Sequence, residues 1–131
     1  MRFYGYNPLA GGLLTGKYSG MDDPALDEKG RFSSEYAGTK ANPNPGYRGR
    51  YFKQAVFDAI DVLKAACEAA DIPMADAAMR WCKHHSILDA SVGDGIIFGA
   101  SSSSHAQHNI AAYGGSVPAI SPPELGFQGC F

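Results

Sequence analysis

Apolar and polar positions fall along this chain in blocks of different period. From Phe52 onward, Val56, Ile60, Leu63, Cys67 and Ala70 recur at alternating spacings of four and three, which lays them along one stripe of a helix. Asp58, Asp61, Lys64 and Glu68 fall largely off that stripe. Asp71-Ile72-Pro73 interrupts the run, and Pro73 suits the first turn of a second helix, where its missing N–H costs nothing. Met74, Ala77, Ala78, Trp81 and Cys82 mark the buried side of that helix, with His84, His85 and Ser86 near its end. Two short runs read differently. Residues 2–6 are aromatic-rich and residues 96–100, IIFGA, are apolar with β-branched members, so both are expected to be short buried strands. Residues 105–113 predict a short helix that begins among the serines before it.

The segments between these blocks are rich in turn residues. Pro8, Gly11, Gly12 and Gly16 make a loop after the first strand, and Gly93-Asp94-Gly95 makes a turn before the second. Residues 19–50 hold many Gly, Pro, Asn, Asp and Ser without steady period. A structureless loop of that length in a compact domain points to a functional lid or to a missing part. Residues 114–131 form an irregular tail. The order is strand, loop, two helices, strand, helix, which argues for an α/β fold with a parallel sheet. Two strands do not make a self-sufficient parallel sheet, which needs cover on both faces. Their exposed edges are therefore candidates for self-association, or for pairing with a complementary segment.

Composition narrows the function classes. The chain has 131 residues, 45% of them hydrophobic, which suits one globular domain. A net charge of −2 leaves little electrostatic footprint for nucleic acid or an anionic membrane, so neither is expected as a partner. No apolar run approaches a membrane span. Three cysteines, Cys67, Cys82 and Cys130, without a CxxC spacing suit a reducing, cytoplasmic setting.

Two segments carry candidate chemistry. In NPLAGGLLTGKY, residues 7–18, glycines allow backbone N–H groups to approach phosphate oxygens, the Asn7 side chain can donate, and Lys17 adds charge. The same segment reads equally as a glycine-rich turn that needs no ligand. In GASSSSHAQHN, residues 99–109, a strand ends and a helix starts. A helix N-terminus offers N–H groups and a positive dipole end to an anion, while plain N-capping by serine explains the same residues. His105 and His108 share a helix face, but no paired Cys or acidic ligand accompanies them, and a zinc site is not expected.

The motifs YNPLAGGLLTGKY, GRF at 30–32, YRGRYF at 47–52, AAMRW at 77–81 and IIFGASSS at 96–103, followed by Asn109, occur in this order. Over residues 2–113 the chain resembles the C-terminal part of an aldo-keto reductase, in the branch that includes the aflatoxin-aldehyde and succinic-semialdehyde reductases. The resemblance implies a partial (β/α)8 TIM barrel, with residues 2–6 as its seventh strand and 96–100 as its eighth. Residues 1–131 then form one partial NADP-dependent oxidoreductase domain, and the chain is expected to be a fragment. The tail, ending GFQGCF, departs from the CPNYFR-like terminus of that branch and reads as a misjoined exon or a truncation.

The resemblance also assigns roles. Asn7, Pro8, Leu9 and Gly11 match the segment that wraps the pyrophosphate of NADPH. Ser101 and Ser102 match the 2′-phosphate clamp and Asn109 the residue that touches adenine, with Gly99 and His105 as further cofactor-binding candidates in the same stretch. In YRGRYF, Arg48 and Arg50 are the candidates for the family's substrate-holding Arg, Arg50 with the better spacing and Tyr47 beside it, because Arg can grip a carboxylate with two parallel hydrogen bonds; a solvated basic pair before a helix explains the same residues. The substrate class implied is a small aldehyde or ketone. His105 stands where the family usually has Arg or Gln, and Ala106 where it often has Leu, which weakens the NADPH preference. The family's Asp, Tyr, Lys and His tetrad maps to nothing in this chain, so the chain alone is expected to be inactive.

Overall fold

The computed structural model describes residues 1–26, 28, 30–33 and 46–115. Strand β1 is Tyr4–Tyr6 and strand β2 is Gly95–Ile97. Helices follow as α1, Gly46–Tyr51; α2, Gln54–Ala69; α3, Met74–His84; and α4, Ser103–Gly114. Short 3-10 turns occupy Ala10–Thr15, Pro24–Leu26 and Ala90–Val92. The expected α/β class and parallel pairing are present. β1 runs parallel to β2 with Tyr4 opposite Gly95, Gly5 opposite Ile96 and Tyr6 opposite Ile97.

The strands are shorter than expected and they are not buried. Phe3, Tyr4 and Tyr6 are 60%, 52% and 67% exposed, and Ile97 is 57% exposed. Among the described residues, no layer covers these side chains, so the apolar signal in the sequence reports a burial that the described residues do not supply. Phe98, Gly99 and Ala100 lie beyond β2 rather than in it.

The core lies beside the sheet. Leu13, Tyr18, Leu26, Phe32, Phe57, Ile60, Cys67, Met74 and Ala77 form one buried cluster between the first loop, α2 and α3. The stretch 19–50 is not structureless where it is described. It includes the turn at Pro24–Leu26 and helix α1, and it sends Leu26 and Phe32 into the core. Tyr47 and Tyr51, one helical turn apart, stack at 6.0 Å, and both meet the Phe32 ring edge-on. That packing gives α1 a reason to form that no local pattern shows. Residues 34–45 of this stretch and 116–131 of the tail lie outside the described residues, as does Cys130.

The helices otherwise follow their patterns. On α2, Ile60 and Cys67 are buried and Val56, Leu63 and Ala70 half-buried, with Phe57 added to the core. Helix α2 ends in a Schellman arrangement, the Ile72 N–H donating to Cys67 O at 3.0 Å and the Asp71 N–H to Glu68 O at 3.2 Å. Asp71 takes the left-handed conformation there, at φ 53°. On α3, Met74, Ala77 and Ala78 are buried as expected, while Trp81 and Cys82 are half-buried. Met79 and Asp76, absent from the expected face, are buried as well. Helix α4 packs against α3.

The start of β1 is tied to the turn before β2. The Phe3 N–H donates to Asp94 Oδ1 at 2.8 Å and the Asp89 N–H to Asp94 Oδ2 at 3.1 Å. These bonds hold the Asp94 carboxyl below its ordinary value of 3.8. Because the folded-state pKa is depressed, ionised Asp94 supports the pairing above the ordinary carboxylate range, and that support is lost as pH falls through the folded value. In an NMR pH titration, the Phe3 and Gly95 amide resonances should leave their folded positions below pH 3.8. In Asp94→Asn they should already be displaced at neutral pH, with that acid step removed.

Candidate functional site

Parallel pairing sends the chain out of β1 and β2 at the same sheet edge. With Tyr6 opposite Ile97, Asn7 and Phe98 leave neighbouring strands, whose spacing is about 4.8 Å. The carboxyl edge is where parallel α/β sheets place their ligands. The two candidate segments therefore share one edge although about 90 residues separate them in sequence.

The first segment is built around Asn7. Its backbone is left-handed, φ 62°, which Asn tolerates better than most residues. Its Oδ1 accepts the Gly11 N–H at 2.8 Å, its Nδ2 donates to Tyr51 Oη at 2.7 Å, and its carbonyl accepts the Ala10 N–H at 3.0 Å. Leu9 O accepts the Gly12 N–H at 2.8 Å and the Leu14 N–H at 3.2 Å. The N–H groups of Ala10, Gly11 and Gly12 are thus directed to the loop's own acceptors, where the sequence reading aimed them at phosphate. Pro8 and Leu9 lie half-buried between them. Asn7 acts first as the organiser of the loop.

Arg50 and Tyr47 join this group. Tyr47 lies against Gly11, where an added Cβ would sit 2.5 Å from the ring Cδ1. Arg50 is exposed, 5.7 Å from the Tyr47 ring centre and 6.0 Å from that of Tyr51. Hydrogen bonding with Tyr51, then the nearby Tyr6, raises the guanidinium pKa above its ordinary value. Arg48, by contrast, turns inward and donates to Phe32 O. Sequence spacing had not singled out Tyr51, since its bond to Asn7 spans 44 positions and leaves no local signal.

The second segment opens α4. Ser102 is its N-cap, its hydroxyl accepting the His105 N–H at 3.2 Å and bonding Ser104 Oγ at 2.9 Å. Ser101 Oγ lies 2.9 Å from His105 Nδ1. Ser101, Ser102 and His105 are exposed, as is Gly99, with nothing within 4 Å of its added Cβ. Asn109 departs from this group. It is only 7% exposed, because its turn of α4 faces the protein rather than the open edge. Among the described residues, no group of three or more His, Cys, Asp or Glu could hold a metal.

The aldo/keto reductase family model matches residues 1–118. The chain is 43% identical over 117 residues to the human (Homo sapiens) aflatoxin B1 aldehyde reductase member 2, covering 86% of this chain and 31% of that protein. It is 42% identical over 116 residues to human aldo-keto reductase family 7 member A3, covering 86% of this chain and 33% of that protein. An aldo-keto reductase of Pseudocercospora fijiensis is 33% identical over 113 residues, covering 83% of this chain and 34% of that protein. The chain spans about a third of the length of the curated relatives it matches.

The geometry at Gly11 sets a test. Gly11→Ala should destabilise the chain by about 2 kcal/mol or more, since it combines a left-handed φ with overlap on Tyr47. Gly12→Ala, with φ 106° but open space, should cost only about 1 kcal/mol. In a Tyr47→Ala background the difference should narrow, the remainder reporting the 3.2 Å approach to the Phe32 ring, as read by urea unfolding.

Proposed function

The chain belongs to the aldo/keto reductase family, and we propose that it is the cofactor-binding portion of an NADPH-dependent reductase of aldehydes or ketones. Family membership implies oxidoreductase chemistry and a (β/α)8 barrel. The finer reading is that β1 and β2 correspond to the barrel's seventh and eighth strands, within one partial domain over residues 1–131. The observation that carries this reading is the pairing of Tyr6 with Ile97, which brings both motif segments to one carboxyl edge.

The residues present suit a dinucleotide phosphate. Ser101 and Ser102 offer exposed hydroxyls at the N-terminus of α4, where a helix favours an anion. His105 lies beside them and Gly99 leaves the approach open. Asn7, Pro8, Leu9 and Gly11 hold the shape of the neighbouring loop, and Asn109 supports α4 from beneath. Arg50, with Tyr47 behind it, presents a cation able to orient the polar end of a carbonyl substrate. NADPH supplies a hydride to the carbonyl carbon, and the oxygen needs a proton. The tetrad that performs that proton transfer in the family has no counterpart in this chain, so the isolated chain binds cofactor without turning over substrate. The reading places the protein in the cytoplasm.

Titration of the purified chain with NADPH, followed by cofactor fluorescence, should saturate, with weaker binding of NADH. Ser102→Ala should reduce NADPH affinity severalfold, consistent with loss of one hydrogen bond to a charged group. Equal binding of the two cofactors by the unmodified chain, or none, would sink the reading.

A second reading rests on the exposed Phe3, Tyr4, Tyr6 and Ile97. In a two-stranded sheet each strand keeps one outer edge that templates pairing with another strand, so that edge joins a second copy of the chain or a complementary segment. Sedimentation of the purified chain should show concentration-dependent association that Ile97→Lys suppresses. A monodisperse monomer at all concentrations would reject self-association.

A further inference from the structure

Asp76 is a carboxylate only 9% exposed, on the first turn of α3, and the proposed cofactor role does not use it. Burying such a group is costly unless its charge is matched and its oxygens are bonded. Three features meet that need. The N-terminus of α3 favours a negative charge. Arg80, one turn along, places Nη2 3.3 Å from Oδ2. The third comes from another helix: His108 Nε2–H of α4 donates to Oδ1 at 2.8 Å. Two weaker ties join the same helices further along. His84 Nε2–H of α3 donates to Gly115 O at 3.2 Å, and Lys83 Nζ lies 5.4 Å from the Tyr113 ring centre. Both sit at the C-terminal end of α4, so the Asp76–His108 bond is the polar tie nearest its serine-bearing N-terminus among the described residues.

His108 lies one turn after His105 and Ser104, on the same helix that Ser102 caps. The bond of His108 to α3 therefore ties α4 down one turn from the residues that follow its Ser102 cap. We propose that Asp76 and His108 are positioning residues that orient the anion-binding turn of α4, an inference that rests on the cofactor reading above. His108 is half-exposed, and its removal leaves Asp76 bonded to Arg80 beside the α3 N-terminus, so His108→Ala is a mild change to the fold. His108→Gln keeps a side-chain N–H donor.

The test uses the full chain and two independent readouts. Amide hydrogen exchange at His105 and Ala106 should speed by about fivefold in His108→Ala, the equivalent of one hydrogen bond, and return toward the unmodified rate in His108→Gln. Exchange in α2 should not change. NADPH affinity should fall by a similar factor in His108→Ala while NADH affinity holds, with Asp76→Asn adding little in the double variant. Unchanged exchange in the first turn of α4, or equal acceleration in α2, would overturn the positioning role. If the unmodified chain binds neither cofactor while exchange responds as expected, the positioning role stands and the cofactor reading fails.

Discussion

Three residues of parallel pairing set where the two candidate segments of this chain leave the sheet. Tyr4, Gly5 and Tyr6 sit beside Gly95, Ile96 and Ile97, which puts the exits toward Asn7 and Ser101 on one edge, while α3 packs against both the loop after β1 and α4. Such a contact is costly to form, because the chain between the strands must close before the pairing rewards it. It is held at its entrance by Asp94, which collects the Phe3 and Asp89 N–H groups, and by the Gly95 N–H donating to Phe3 O at 3.1 Å. The helices between the strands pack on a core of their own beside the sheet, which offsets part of that closure cost. Leu13 and Phe32, each 1% exposed, join that core to the loop that leaves β1.

The separation of core from sheet explains the uneven legibility of the sequence. Helices α2 and α3 were readable because their apolar stripes face a core that is present. Pro73 and Asp71 mark the break between them through local backbone constraints, which short-range patterns record well. The strands were readable in type and direction, but not in burial: Tyr4 and Ile97 have the composition of covered residues and stand exposed. Helix α1 was hidden, since GYRGRY has little intrinsic helical preference and its order comes from Tyr47 and Tyr51 packing on Phe32. Asp76 escaped notice for a related reason. A carboxylate on a helix reads as solvated, and one of the partners that make its burial tolerable lies on α4, 32 positions away, where no local pattern shows it.

Legibility at the candidate site divides the same way. The glycine-rich loop and the serine-capped helix were visible as motifs because each is local. Their relation was not, since it depends on strand register. Nor was the state of the loop's polar groups. Asn7 uses both side-chain ends and its carbonyl on neighbours within the protein, so its first contribution is to fix a backbone with positive φ at Asn7, Ala10, Gly11 and Gly12. Holding Ala10 at φ 48° costs on the order of 1 kcal/mol without a side chain to offset it, and the bonds around Asn7 and Leu9 supply that offset.

From this division follows an asymmetry between the two halves of the edge. The loop after β1 has its N–H groups at Ala10, Gly11 and Gly12 engaged internally, so an anion meeting it would compete with bonds already made. The turn before α4 has the opposite character. Ser101, Ser102 and His105 are exposed and bond mainly to one another, in hydroxyl and imidazole contacts that can be exchanged for phosphate oxygens at little net cost. On the cofactor reading proposed above, discrimination between dinucleotides that differ by one phosphate belongs to α4, while the loop sets the shape against which the rest of such a ligand would lie. On that reading the first turn of α4 has to be held in orientation, and the buried carboxylate of Asp76 on α3, bonded to His108 of α4, is the point from which we propose that it is held.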